Sequence, residues 1–156
     1  MSEITRHLSL IPAFESGDSQ LIAKSDHKLQ PSQTLYRKGD RLIVDLPLFP
    51  LKEEACVRYF LAMQYPEPDN RLFFIEHFIR DFNQLREVNS NVIPHWIGVR
   101  PNNENKEDSL RVIKMLVNDM PRGEYKLYLL RMPGYVEDPF NHLHLGELNV
   151  TTFKVE

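Results

Sequence analysis

The apolar positions of this chain fall into two kinds of pattern. Between residues 51 and 90 they recur every three or four places: Val57, Phe60 and Leu61 in LKEEACVRYFLAMQ, then Ile75, Phe78, Ile79, Phe82 and Leu85 in RLFFIEHFIRDFNQL. Such spacing marks one face of a helix. Glu53 and Glu54 suit a first turn, Pro66 a stop, and Asp69 or Asn70 a cap, so the spacing predicts a helix hairpin near 52–89. Phe73 and Phe74 widen the apolar stripe of its second helix.

Outside that region the apolar residues are strand-like. DRLIVDLPLFPL carries Leu42, Ile43, Val44 and Leu46 and closes on Pro47 and Pro50. VIPHWIGVRP and EYKLYLLRM are two further strand candidates, and in ELNVTTFKV the positions Leu148, Val150 and Thr152 alternate with Asn149, Thr151 and Phe153. SLRVIKMLVNDM, between the second and third of these, aligns Leu110, Ile113, Leu116, Val117 and Met120 on one helical face, with Asp108 or Ser109 as its cap. That predicts strand-helix-strand near 92–132 and a C-terminal strand. The expected fold is α+β: a single compact domain, about four strands in a mixed sheet packed on about three helices. Residues 1–39, where short apolar clusters are divided by ESGDSQ and KSDHKLQPSQ, read as an N-terminal arm or edge segment of the same domain, and 40–156 as the α+β domain proper.

Composition narrows the classes. At 156 residues and 42% hydrophobic content the chain can bury a core without disulfides. Nineteen Lys plus Arg against 22 Asp plus Glu give a formal charge of -3, so no bulk positive field favours nucleic acid or anionic lipid. The lone Cys56 excludes an internal disulfide and a cysteine-based zinc cluster, and suits a reducing compartment. No stretch has the apolar length of a secretory signal or a membrane span, so a soluble, cytoplasmic protein is expected.

The sharpest local motif is FNHLHLGEL. His142 and His144 are two apart and would share one face of a strand, and Glu147 would join them if the chain bends at Gly146. That set could hold one divalent transition metal. The plainer reading is a loop entering a strand, with Leu143 and Leu145 inward and the histidines on the polar face. GYVEDPFNHLHLGE departs in both spacings from the cupin-barrel pattern of a glycine, two histidines one residue apart and a glutamate. Three helices do not suit that barrel either, so the family is set aside. PHWIGVRPNN offers Trp96, the only tryptophan, beside Arg100, a pairing enriched at protein interfaces. The loop after it lacks the glycines of a phosphate site, EYKLYLLRM lacks the RRM aromatic signature, Cys56 falls inside an expected amphipathic helix where burial as a small hydrophobe is commoner than reactivity, and no Ser stands in a glycine-flanked elbow.

These residues favour a binding protein over an enzyme. The reading is a protein-interaction module, an adaptor, inhibitor, immunity-type protein or assembly subunit, with no cofactor. Its anchors would be Phe74 and Trp96, rimmed by Arg71, Arg100 and Glu104. The partner is another protein, a second copy of the chain included; nucleic acid and membrane are disfavoured. The alternative is a small metal-dependent enzyme built on His142, His144 and Glu147.

Overall fold

The computed structural model describes residues 23–47, 56–77, 83–87, 97–99, 109–137, 139 and 142–156. They hold strands and no α-helix, which overturns the α+β expectation. The strands in chain order are β1 (Ala23–Lys24), β2 (Gln30–Pro31), β3 (Leu35–Tyr36), β4 (Arg41–Pro47), β5 (Val57–Gln64), β6 (Leu72–His77), β7 (Asn83–Glu87), β8 (Ile97–Val99), β9 (Ser109–Leu116), β10 (Gly123–Pro133) and β11 (Glu147–Val155). A 3-10 turn, Leu143–Leu145, precedes β11.

Two sheets result. The larger runs β1-β11-β10-β5-β6-β7, with β3 also on β11 and β8 also on β5; the smaller is β2-β4-β9. One core joins them: Leu42, Val44 and Leu46 of β4 and Val112 and Ile113 of β9 pack with Tyr59, Leu61 and Met63 of β5, Tyr125, Leu127 and Leu129 of β10, and Phe153 and Val155 of β11. This is a two-layer β-sandwich, each sheet giving alternate residues to the shared interior.

The expected helix hairpin is therefore a set of strands, β5 to β7, and the third helix is strand β9. The cause lies in how each strand is buried. β5 is buried on both faces along nearly its whole length, so VRYFLAMQ is an unbroken apolar run whose members fall at helical spacing by default. In β9 the register steps from Val44–Ile113 to Asp45–Arg111, past Val112. That bulge buries Val112 and Ile113 side by side, so the alternation of two gives way to a period that imitates a helix. The strands expected near 41–47, 123–132 and 147–155 are present, because each faces the interior at every second position.

Aromatic contacts brace one end of the sandwich. Tyr125 stacks on Phe153 at 5.0 Å between centroids, Phe153 meets Tyr36 edge-on at 5.5 Å, and Tyr65 meets Tyr125 at 5.3 Å. The Tyr125 hydroxyl donates to the Pro121 carbonyl at 2.6 Å, which ties the entry of β10 to the ring above it. Gly123 makes that entry possible. Its φ is +135°, and a Cβ there would stand 2.6 Å from the Cβ of Pro66. Gly123→Ala should cost about 2 kcal/mol through strain and overlap, read as a lower urea midpoint at unchanged slope; an unchanged midpoint would show that the turn yields freely.

The other end is closed by a buried histidine. His27, 8% exposed, donates from Nε2 to the Pro47 carbonyl at 2.6 Å, and its Nδ1 faces the Tyr59 hydroxyl at 3.4 Å. Burial pushes its pKa below the ordinary value of 6.5; the Pro47 bond raises it, the charge of Arg131 lowers it and that of Glu147 raises it. With the folded value depressed, the unfolded chain binds the proton more readily, so the stability His27 brings is present above pH 6.5 and declines on acidification. We expect the stability gap between the wild type and His27→Gln to narrow from pH 7.5 to pH 5 in urea titrations. A gap that widens on acidification would reverse the sign.

Candidate functional site: an apolar cleft on the outer sheet face

In a two-layer antiparallel sandwich, alternation leaves the outer face of each sheet to solvent, and polar residues are expected there. The large sheet breaks that rule at its centre. Phe60 and Ala62 of β5 and Tyr128, Leu130 and Met132 of β10 alternate with the interior residues, yet they form a second buried apolar cluster with Leu72, Phe74 and Leu148.

Strand register sets these residues in rows. Val150, Tyr128, Ala62 and Phe74 lie side by side across β11, β10, β5 and β6, and Leu148, Leu130 and Phe60 form the next row. Above them lies the connection from β10 to β11, which supplies Pro139 and Leu143. Sheet and connection line a small cleft whose walls are almost wholly apolar. Val150, 38% exposed, continues the first row to the edge of the sheet.

One polar pair sits beside the cleft. Gln64 is buried, accepts the Tyr128 hydroxyl at Oε1 at 2.7 Å and donates from Nε2 to the Asn70 carbonyl at 3.3 Å. Asn70 holds a left-handed φ of 54° in the turn between β5 and β6, so this pair fixes that turn relative to β10. Tyr128→Phe would leave the Gln64 oxygen without this donor, at a cost of about 1–2 kcal/mol that thermal unfolding should resolve.

The expected anchors separate in the structure. Phe74 lines the cleft at 5% exposure, so its ring forms a wall and does not stand out from the surface. Arg71 belongs to the opposite side of the sheet, where its guanidinium lies 5.7 Å from the Tyr65 ring and 5.4 Å from the Phe73 ring. It also grips Asp69 through Nε–Oδ1 at 2.6 Å and Nη2–Oδ2 at 3.0 Å, and those bonds hold the Asp69 carboxyl below its usual pKa. Trp96, Arg100 and Glu104 lie outside the described residues, as do Phe78 and Phe82.

His142 and His144 are exposed, the first just before the 3-10 turn and the second at its middle, with ring centroids 6.4 Å apart and tilted by 52°. The turn replaces the expected strand. Leu143 reaches into the cleft, whereas Leu145 is exposed. Glu147 starts β11 and pairs with Arg131 at 3.7 Å. Among the described residues no group of three or more His, Cys, Asp or Glu is placed to hold a metal ion. An all-β fold removes one ground for setting the cupin barrel aside, but the motif spacings still differ from it.

Of the cleft walls, the sequence marks Phe74 alone as a binding residue; Phe60, Leu61, Leu143 and Leu148 stand out in it only as apolar positions of expected elements. Their signal is present in the sequence: YFLAM in β5 and LYLL in β10 are apolar at consecutive positions, where a strand with one wet face would alternate.

No family model matches this chain, and no curated protein matches it. Among solved structures, the chain is similar to Spo0M, a sporulation control protein from Bacillus subtilis, at 10% identity and a TM-score of 0.29, over 83% of this chain and 48% of that one. A likeness of that size carries nothing about fold or function. The described residues contain no helix long and apolar enough to cross a membrane.

Proposed function

We propose that the protein is an interaction module that binds another protein through the apolar cleft on the outer face of its large sheet. The observation that carries this reading is the two-faced burial of β5 and β10. A sandwich needs one apolar face per sheet, and this sheet has a second with an open apolar cleft in it. The fitting ligand is an apolar segment that sets one or two large side chains into the cleft. Burying a Leu or Phe side chain there contributes about 1.5–3 kcal/mol, enough for one anchor of a regulatory contact. The Arg71 corner, with Phe73 and Tyr65, lies across the sheet and is not part of this face.

The test is a photoreactive benzoyl-phenylalanine placed at Val150, at the edge of the cleft row, and separately at Leu116 on the small sheet, in cells of the source organism. Position 150 should yield a discrete protein adduct and position 116 none. Val150→Asp should change stability by no more than about 0.5 kcal/mol, since the site is exposed, while removing that protein from co-purification. Equal adducts at both positions, or co-purification untouched by Val150→Asp, would overturn the assignment.

A further inference from the structure

The β11 edge of the large sheet is closed only at its two ends. β1 runs parallel to β11 at Ala23–Glu147 and Lys24–Leu148, and β3 runs parallel to it at Leu35–Lys154 and Tyr36–Val155. Between these pairings the described strands leave β11 uncovered over residues 149–153, about 17 Å of edge. The chain that links β1 to β3 leaves the large sheet there, because β2 pairs with β4 of the small one.

The bonds at either end fix which groups face outward. The Ser25 amide donates to the Leu148 carbonyl, the Lys154 amide to the Thr34 carbonyl and the Glu156 amide to the Tyr36 carbonyl, each at 2.9 Å. Even-numbered residues of β11 therefore turn N–H and C=O away from β10, and strand alternation gives Val150 and Thr152 the same direction. Both residues are exposed, and among the described residues no strand lies opposite their four outward groups. The intervening positions are polar: Asn149 donates from Nδ2 to the Ser25 carbonyl at 2.8 Å and accepts the Thr151 hydroxyl at 3.0 Å. They stand on the side that Phe153 and Val155 give to the core, as expected where the margin of the sandwich is wet.

We infer that the partner adds a short extended segment to β11 at this gap, hydrogen-bonded through its main chain to Val150 and Thr152. The inference rests on the protein-binding role proposed above and names its mode of recognition. Donors and acceptors alternating at strand spacing are matched by another main chain, with side chains on one face of the added strand supplying selectivity. Here that face continues the row from Phe74 through Ala62 and Tyr128 to Val150. A second copy's β11 does not fit, since it is nine residues long and has β1 and β3 beside it at both ends. The fitting occupant is a segment of about five residues that bends away at each end.

The probe is a synthetic pentapeptide, acetyl-Thr-Val-Thr-Val-Thr-amide, titrated into the isotope-labelled full chain and followed by amide NMR. In the free chain the Val150 and Thr152 amides should exchange freely with solvent, unlike those of Asn149 and Thr151, which face β10. Peptide at up to about 10 mM should shift both resonances saturably and slow their exchange. Thr152→Pro removes an outward N–H that no bond to β10 uses, and should weaken binding about tenfold or more. The fully N-methylated peptide, a control that leaves the protein unaltered, should move neither resonance. The inference is overturned by no saturable shift, by equal effects of the two peptides, or by amides at 150 and 152 already protected in the free chain. Shifts that follow protein concentration without peptide, the mark of a second copy, overturn it too. A silent peptide beside a discrete position-150 adduct overturns strand addition and leaves the partner on the cleft; a saturating peptide with no adduct upholds the edge and overturns the cleft.

Discussion

The pairing of β5 with β10 is the constraint on which the rest of the molecule depends. Eight successive residue pairs run from Lys126–Gln64 to Pro133–Val57, and along most of that length both strands carry apolar side chains on both faces. The inward set, Tyr59, Leu61, Met63, Leu127 and Leu129, meets β4 and β9 to make the sandwich interior. The outward set, Phe60, Ala62, Tyr128 and Leu130, must be covered as well. The β10–β11 connection contributes to that cover through Pro139 and Leu143, and the cleft lies between it and the sheet. Fold and proposed function thus come from one feature: a strand pair too apolar for a two-layer protein.

Polar groups at the two ends of this pair are satisfied rather than absent. At one end Gln64, Tyr128 and the Asn70 carbonyl form a short hydrogen-bonded chain beside the cleft. At the other, His27 links the β1–β2 segment to the end of β4 and to Tyr59 of β5. Buried polar groups paired in this way fix register at little net cost, whereas breaking one member exposes the desolvation of its partner. The cleft between them contains no comparable group, which favours an apolar ligand chosen by shape over one chosen by charge.

The sequence made some of this legible and hid the rest for definable reasons. Strands with one wet face could be read, β4 from Leu42, Val44 and Leu46 and β11 from Phe153 and Val155, and β10, though buried on both faces at its centre, from its β-compatible run of Tyr125, Leu127, Tyr128 and Leu129. β5 could not, since a strand buried on both faces loses its period of two and its apolar positions satisfy a helical template equally well. β9 was disguised by the bulge at Val112. The error about fold also concealed the site. Phe74 was recognisable as an apolar residue of consequence, but as a helix residue it had no reason to lie beside Tyr128 and Ala62, which only the sheet register brings next to it. The histidines of HLHL drew attention through their spacing, yet the turn that holds them places Leu143, not a histidine, into the cleft.

The most direct test of the central claim is a methyl-labelled NMR spectrum of the full chain, free and bound to the protein captured at position 150. The account predicts that the shifted methyls are Ala62, Leu130, Leu148 and Val150, on the outer face of the large sheet. Shifts centred instead on Leu116 and the small sheet, with those four methyls unmoved, would contradict it.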